Sequence, residues 1–429
     1  MKRRRRGGGD LLRRFFISRS FALLWAAQAL SSFAEYCVAA TATVWIVTDL
    51  GAGEASTPQL IALMVAAVAV PRLILAPFAG VWVDRWNAKR VMISSDLTRA
   101  AIYLIVVGIA VSLPDQVIVI TLVVAQLAAS ISSQFFDPGR NSMMQIVIPQ
   151  DRRADAAGRS MFASMGVGIL ATVSGPVVYA VSGPVLALTL STVCLLVSTV
   201  LVRAVPIRAA FTRNEDVGYW RSLRDGLSIA WRDPGIRLLI VGMGAYGLSL
   251  GTNNVSLALF ALETMGLSPA EYGVVSGMFS VGGLIGAVFA PSIVSRFTPE
   301  RLFPVALISL GLTYIGYSFL RAFVPAAITM GLAGLLFSLY IVCQGPILQA
   351  KVPMGAMGRV SALTAPILAV CSLLATAVVS QVFASLGPAG SREAAYATAI
   401  AVSAAVMSLA SLMMIMGRRR TEDRLLAVT

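Results

Sequence analysis

The chain has 429 residues, 57% of them hydrophobic and only 13% charged, against about 25% charged in an average soluble protein. That composition excludes a soluble globular domain. The absence of any histidine excludes His-ligated metal, haem and His-based triads, and the formal charge of +14 is read below from where it falls.

Apolar stretches of about 20 residues, each able to cross a hydrocarbon core about 30 Å thick, recur along the chain. Twelve are predicted as helices: 21–47, 59–80, 91–112, 117–136, 160–181, 184–203, 236–259, 271–294, 303–323, 326–347, 361–384 and 394–416. Spans 5 and 6, and spans 9 and 10, are joined so closely that they must form tight hairpins. The fold class expected is all-α, a polytopic membrane protein.

The longest stretch without a span, AVPIRAAFTRNEDVGYWRSLRDGLSIAWRDPG at 204–235, divides the chain six plus six. This predicts a basic N-terminus at 1–20, a first six-helix bundle at 21–203, a linker at 204–235, a second bundle at 236–416 and a tail at 417–429. Within the linker, Trp220, Leu223, Leu227 and Trp231 recur at helical spacing among Arg221, Arg224 and Arg232. That pattern suits a helix lying on a membrane surface or, as readily, one packed on the protein itself.

With Met1 placed inside, 30 of the 34 Lys and Arg residues fall on inner segments. The outer loops keep Arg321 and Arg392, while Arg72 and Arg99 fall within spans. This bias is the positive-inside pattern and predicts a plasma-membrane protein with both termini cytoplasmic. KRRRR at the start then reads as a topology signal touching anionic lipid rather than a nucleic-acid arm. The first apolar run is too long for a cleaved signal peptide and contains Glu35. Cys37, Cys194, Cys343 and Cys371 lie scattered in apolar runs, which predicts buried free thiols. No Walker loop appears, so energy for work has to come from an ion or substrate gradient.

The halves echo one another. PSIVSRFTPER at 291–301 stands where GVWVDRWNAKR stands at 80–90, and GRS at 158–160 pairs with GRVS at 358–361, each after a basic loop preceded by a proline (Pro149, Pro353). GVWVDRWNAKR carries Gly80, Asp84, Arg85, Lys89 and Arg90. It resembles the loop between helices 2 and 3 of the major facilitator superfamily, G-x-x-x-D-[RK]-x-G-[RK]-[RK], whose fold is twelve helices in two parallel six-helix halves. Asn87 replaces the turn glycine, as a residue that tolerates a left-handed backbone, and Ala88 takes a usually basic position. The resemblance implies a latch clamping the halves in the outward-facing state. Asp84 would sit at the N-terminus of span 11 near Arg359 to Ser361, and Arg90 would pair with Asp137 at the inner end of span 4.

Further stretches resemble the branch that contains enterobactin exporters and macrolide-efflux proteins. They are SSFAEY (31–36), SSDLTRA (94–100), FFDPGR (135–140) and RDGLSIAWRDPGIR (224–237). In span 5, GVGILATVSGPVVYAVSG carries Gly168, Gly175 and Pro176 and resembles the antiporter motif of exporters in the superfamily; close helix packing accounts for the same residues.

Ionisable groups in hydrocarbon are costly and normally face a cavity or a partner. Glu35 lies about 21 Å along span 1 and Arg72 about 12 Å from the inner end of span 2, at similar depth. Glu35 is either the acid that binds a proton or cation, or half of a permanent pair with Arg72. Arg72 in turn either tunes Glu35 or attracts anionic cargo. Span 4 offers only Gln126 where many antiporters of the superfamily carry an arginine. Gln28, Gln126, Asn253, Asn254, Tyr246, Tyr314, Tyr340 and Gln344 are candidates for a central cavity, or for hydrogen bonds between helices. Asp96 and Arg99, three apart, read as a surface pair. The expected function is an alternating-access secondary transporter, a proton-coupled antiporter exporting an amphipathic drug, antibiotic or siderophore. The alternatives are a metabolite facilitator or importer, a lipid flippase, and a non-transporting sensor. No cofactor beyond a proton gradient, no metal and no obligate protein partner are called for; the partners expected are cargo and lipid.

Overall fold

The computed structural model describes residues 18–52, 54–148, 153–206, 233–351, 357–386 and 389–426. The basic N-terminus up to residue 17 and most of the linker, with its expected interfacial helix around Trp220 and Trp231, lie outside the described residues. So do the side chains of Asp84 and Arg85, the residue environment at Gly80, and the side chains around Arg359 to Ser361.

Among the described residues the chain is helical throughout, without strands. In hydrocarbon no water satisfies backbone N–H and C=O groups, so a chain this apolar must satisfy them internally. The elements are α1 (Arg19–Trp45), α2 (Thr57–Arg85), α3 (Ala88–Ser112), α4 (Asp115–Val147), α5 (Arg153–Ala204), α6 (Pro234–Leu259), α7 (Pro269–Arg296), α8 (Pro299–Ser318), α9 (Phe323–Lys351), α10 (Met357–Ser385) and α11 (Ala389–Leu426). Helices α1 and α6 each end in a π-helical turn, Ile46–Leu50 and Phe260–Thr264.

Ten stretches of the described chain are long and apolar enough to cross a membrane. One of them, Gly166–Ala204, doubles back on itself, and the 20-residue α8 stands outside the ten, with Glu300 in its first turn. Counting the two arms of α5 separately gives eleven apolar stretches among the described residues, and the predicted span at 303–323 falls on α8. The reversal is at Gly183, whose φ of 75° and ψ of 179° belong to a region open essentially to glycine alone. Both arms then run along α1 in opposite directions. Gly175 in the first packs on the Cys37 carbonyl, and Ser198 Oγ in the second lies 3.0 Å from the Ala27 carbonyl oxygen.

Small residues set the closest approaches. A Cβ built on Gly282 of α7 would lie 1.8 Å from the carbonyl oxygen of Gly331 on α9, so only glycine allows this crossing. Asn87 contributes differently from the sequence expectation. Its φ of −73° is not left-handed; its side chain caps α3 by accepting from the Arg90 amide at 3.1 Å. A capping role needs a short side-chain acceptor rather than a permissive backbone.

The two halves meet at the end remote from where α1 begins, here called the distal face. Gln59 Nε2 donates to Gln381 Oε1 at 2.9 Å, and Arg392 Nη2 donates to the Glu54 carbonyl at 2.8 Å. Among the described residues these are the hydrogen bonds that cross between the halves. Pro176 of α5 also packs against Gly273 of α7, and one apolar cluster takes in Ile46, Ile61 and Met64 together with Phe260, Leu267 and Phe383. The distal face is therefore closed in this conformation.

Candidate functional site

The sequence puts Ser31 and Glu35 one turn apart on α1, and Asp96 and Arg99 one turn apart on α3, so each pair shares a helix face. The structure turns these faces toward each other. Arg99 is 1% exposed and Asp96 fully buried. Arg99 Nη2 donates to Asp96 Oδ1 and, at 2.5 Å, to Ser31 Oγ. Ser31 Oγ donates in turn to Asp96 Oδ1 at 3.0 Å. The second arm of α5 supplies Ser198, whose Oγ lies 2.6 Å from Asp96 Oδ2. Phe136 of α4 closes the site, its ring centroid 5.4 Å from the Arg99 guanidinium carbon.

Reading Asp96 and Arg99 as a surface pair is therefore wrong. They lie eight and eleven residues into α3, about 12–16 Å from its start by helical rise, and they are sealed by α1, α4 and α5. Burying two charges costs several kcal/mol each unless hydrogen bonds and mutual attraction offset it. Here Asp96 has three donors on its two oxygens, from Arg99, Ser31 and Ser198.

Glu35 is the open end of the cluster. Arg99 Nη1 stands 3.5 Å from Glu35 Oε2, longer than the 2.7–2.9 Å of a strong charge-assisted bond, and the Glu35 side chain keeps 40% of its surface exposed. Arg72 on α2 and Asp137 on α4 also act on it electrostatically. The permanent Glu35–Arg72 pair is not formed. Arg72 is exposed, no ion pair involves it among the described residues, and Arg99 takes the contact instead. The basic residue in contact with Glu35 among the described residues is thus Arg99 on α3.

The other candidates are dispersed. Gln126 is buried in α4. Asn254 Nδ2 reaches Ser372 Oγ at 3.4 Å, which is a helix–helix contact. Asn253 Oδ1 and Gln344 Nε2 are buried without a hydrogen-bond partner among the described residues. Tyr246, Tyr314 and Tyr340 are buried in the core; Tyr246 packs on Tyr340 at 4.9 Å and on Phe337 at 5.4 Å between ring centroids.

The signature-loop residues that are described act within their own half. Lys89 Nζ donates to the carbonyls of Arg203 and Val205, both at 2.7 Å, capping the end of α5, where a cation suits the helix dipole. Asp137 pairs with Arg140, three residues on, at 3.2 Å, and not with Arg90, which is exposed. The two stand three residues apart on the same helix, which is enough to bring them together. Gly175 and Pro176 serve close packing, on α1 and α7 respectively, and Gly168 lies 4.0 Å from the Tyr36 ring by its missing Cβ. Ser31 enters the sequence reading only as part of SSFAEY and Ser198 not at all; hydroxyls in apolar helices carry no signal until their partner is known.

Paired bundles of apolar helices, closed against each other at one face and with a buried charge cluster inside the first, fit a multi-pass membrane transporter. The chain belongs to the Major Facilitator Superfamily, whose sequence model matches residues 24–376. It is similar to macrolide efflux protein A of Enterococcus faecalis, 22% identical over 70% of this chain and 93% of that protein. Among solved structures it resembles a mutant form of the nucleoside transporter NupG, with a TM-score of 0.73 at 12% identity, covering 92% of this chain and 99% of that one. A bacterial homologue of the iron transporter ferroportin in its inward-facing state gives 0.71 at 19% identity, covering 94% and 98%. The cargo is accordingly a small molecule, and the family's work is transport, not catalysis.

Proposed function

We propose that this transporter is a proton-coupled antiporter of the plasma membrane, with both termini cytoplasmic, that exports an amphipathic small molecule by alternating access. The observation that carries the reading is Glu35, a carboxylate deep in a spanning helix that is neither sealed nor fully paired. Asp96 is saturated with donors, whereas Glu35 has one long contact and open surface, so it is the acid free to exchange a proton. Release of the proton to one side and its uptake from the other, tied to which face is open, would drive cargo the opposite way. The likeness to a macrolide efflux protein supports export and an amphipathic cargo. The bundles at 21–203 and 236–416 would rock about the linker, the distal contacts yielding as the latch at Asp84 and Arg85 engages.

The test uses purified protein in vesicles that trap a pH-sensitive dye. Adding a labelled macrolide on one side should move protons toward that side as the drug crosses. Transport at the same rate with and without a pH gradient, and no proton movement, would remove the antiport mechanism and leave a facilitator.

A further inference from the structure

Arg99 has one guanidinium and two acids within reach, and it does not divide itself equally. Nη2 is committed to Asp96 and Ser31, while Nη1 stays 3.5 Å from Glu35 and Nε has no partner among the described residues. Asp96 in turn is fixed from two further helices, by Ser31 on α1 and Ser198 on the second arm of α5. The guanidinium is thus drawn to the buried acid and held off the open one.

We propose that Asp96 is a positioning residue for proton exchange at Glu35: it holds Arg99 back from full pairing and so sets the pH range in which Glu35 takes up and releases a proton. The inference rests on the antiport reading above. The charged groups around Glu35 are Arg99 and Asp96 on α3, Arg72 on α2 and Asp137 on α4; the second arm of α5 contributes the uncharged Ser198. Of these, Arg99 is the one in direct contact, and its freedom is governed by Asp96. An arginine fully released to Glu35 favours the ionised carboxylate, and loss of the Asp96 charge acts in the same sense. The arrangement also couples chemistry to motion. Ser198 Oγ lies within bonding range of both Asp96 and the Ala27 carbonyl on α1, so sliding of α5 along α1 alters how firmly Asp96, and through it Arg99, is held.

Infrared difference spectra of the full-length protein in lipid, titrated with pH, read the protonated carboxyl band directly and need no cargo. The band lost in Glu35→Gln is that of Glu35. In Asp96→Asn its midpoint should fall by about one pH unit or more, a tenfold change in proton affinity of the size an unshared opposite charge produces. In Arg99→Gln it should rise, and Asp96→Glu should restore the wild-type value. Should the Asn variant fail to fold, Asp96→Ser carries the same expectation. A midpoint unchanged in the folded neutral variant overturns the positioning role while leaving Glu35 as the exchanging acid. Absence of any Glu35-dependent band between pH 5 and 9 overturns the antiport reading as well.

Discussion

Arg392, near the start of α11, and Glu54, in the loop after α1, are joined by a hydrogen bond that spans 338 residues of sequence and both halves of the molecule. Arg392 is fully buried, with Tyr396 beside it at 6.0 Å, and its Nε and Nη1 have no partner among the described residues. Its sequence position reads as an exposed outer-loop base, yet it clasps the distal face. Removing a hydrogen bond from a charged donor costs about 1.5–3 kcal/mol, enough to shift an open–closed equilibrium about tenfold or more. Arg392→Ala should therefore open this face. With the four native cysteines replaced by serine, a cysteine at Ile61, buried in the distal cluster, should be labelled by an impermeant thiol reagent about tenfold faster in the Arg392→Ala background. Equal rates would show that the clasp carries no weight.

Lys89 and Asp84 belong to one sequence motif and should behave differently. Lys89 caps α5 through two carbonyls in its own half. Lys89→Met should lower thermal stability, by about 1 kcal/mol for a lost capping cation, without changing which face is open. Asp84→Asn, by the latch that the family likeness implies, should leave stability nearly unchanged and increase labelling from the cytoplasmic side. The two variants separate a structural cap from a gate in one labelling series.

Gly183 makes the turn that lets one long helix serve as two spans. A side chain at that φ and ψ costs about 1–3 kcal/mol, so Gly183→Ala should lower the unfolding temperature in detergent by several degrees. Gly282→Ala should do worse, because the added Cβ would meet the Gly331 carbonyl at 1.8 Å and the crossing of α7 and α9 cannot relax without separating. Size-exclusion profiles after mild heating would rank the two.

The spans were legible because hydrophobicity over about 20 residues leaves little choice of structure in a membrane. Glu35 was legible because a carboxylate in such a run is costly wherever it points. The pairing was not. Asp96 and Arg99 have the spacing of an ordinary surface pair, and their burial depends on Ser198, 102 positions away, and on Phe136, neither of which signals its partner. The family pattern points Asp137 toward Arg90, but Arg140, three residues on in the same helix, takes the pair. Asn87 illustrates the same limit at short range. Tolerance of a left-handed backbone and capping ability are both properties of asparagine, and the start of α3 uses the second.

The role given to Glu35 is tested most directly by uphill transport. In vesicles with an imposed pH gradient, the wild-type protein should accumulate a labelled macrolide against its concentration gradient. Glu35→Gln should abolish that accumulation while preserving downhill exchange of the same compound. Accumulation by Glu35→Gln to the wild-type level, with the same dependence on the pH gradient, would contradict the account.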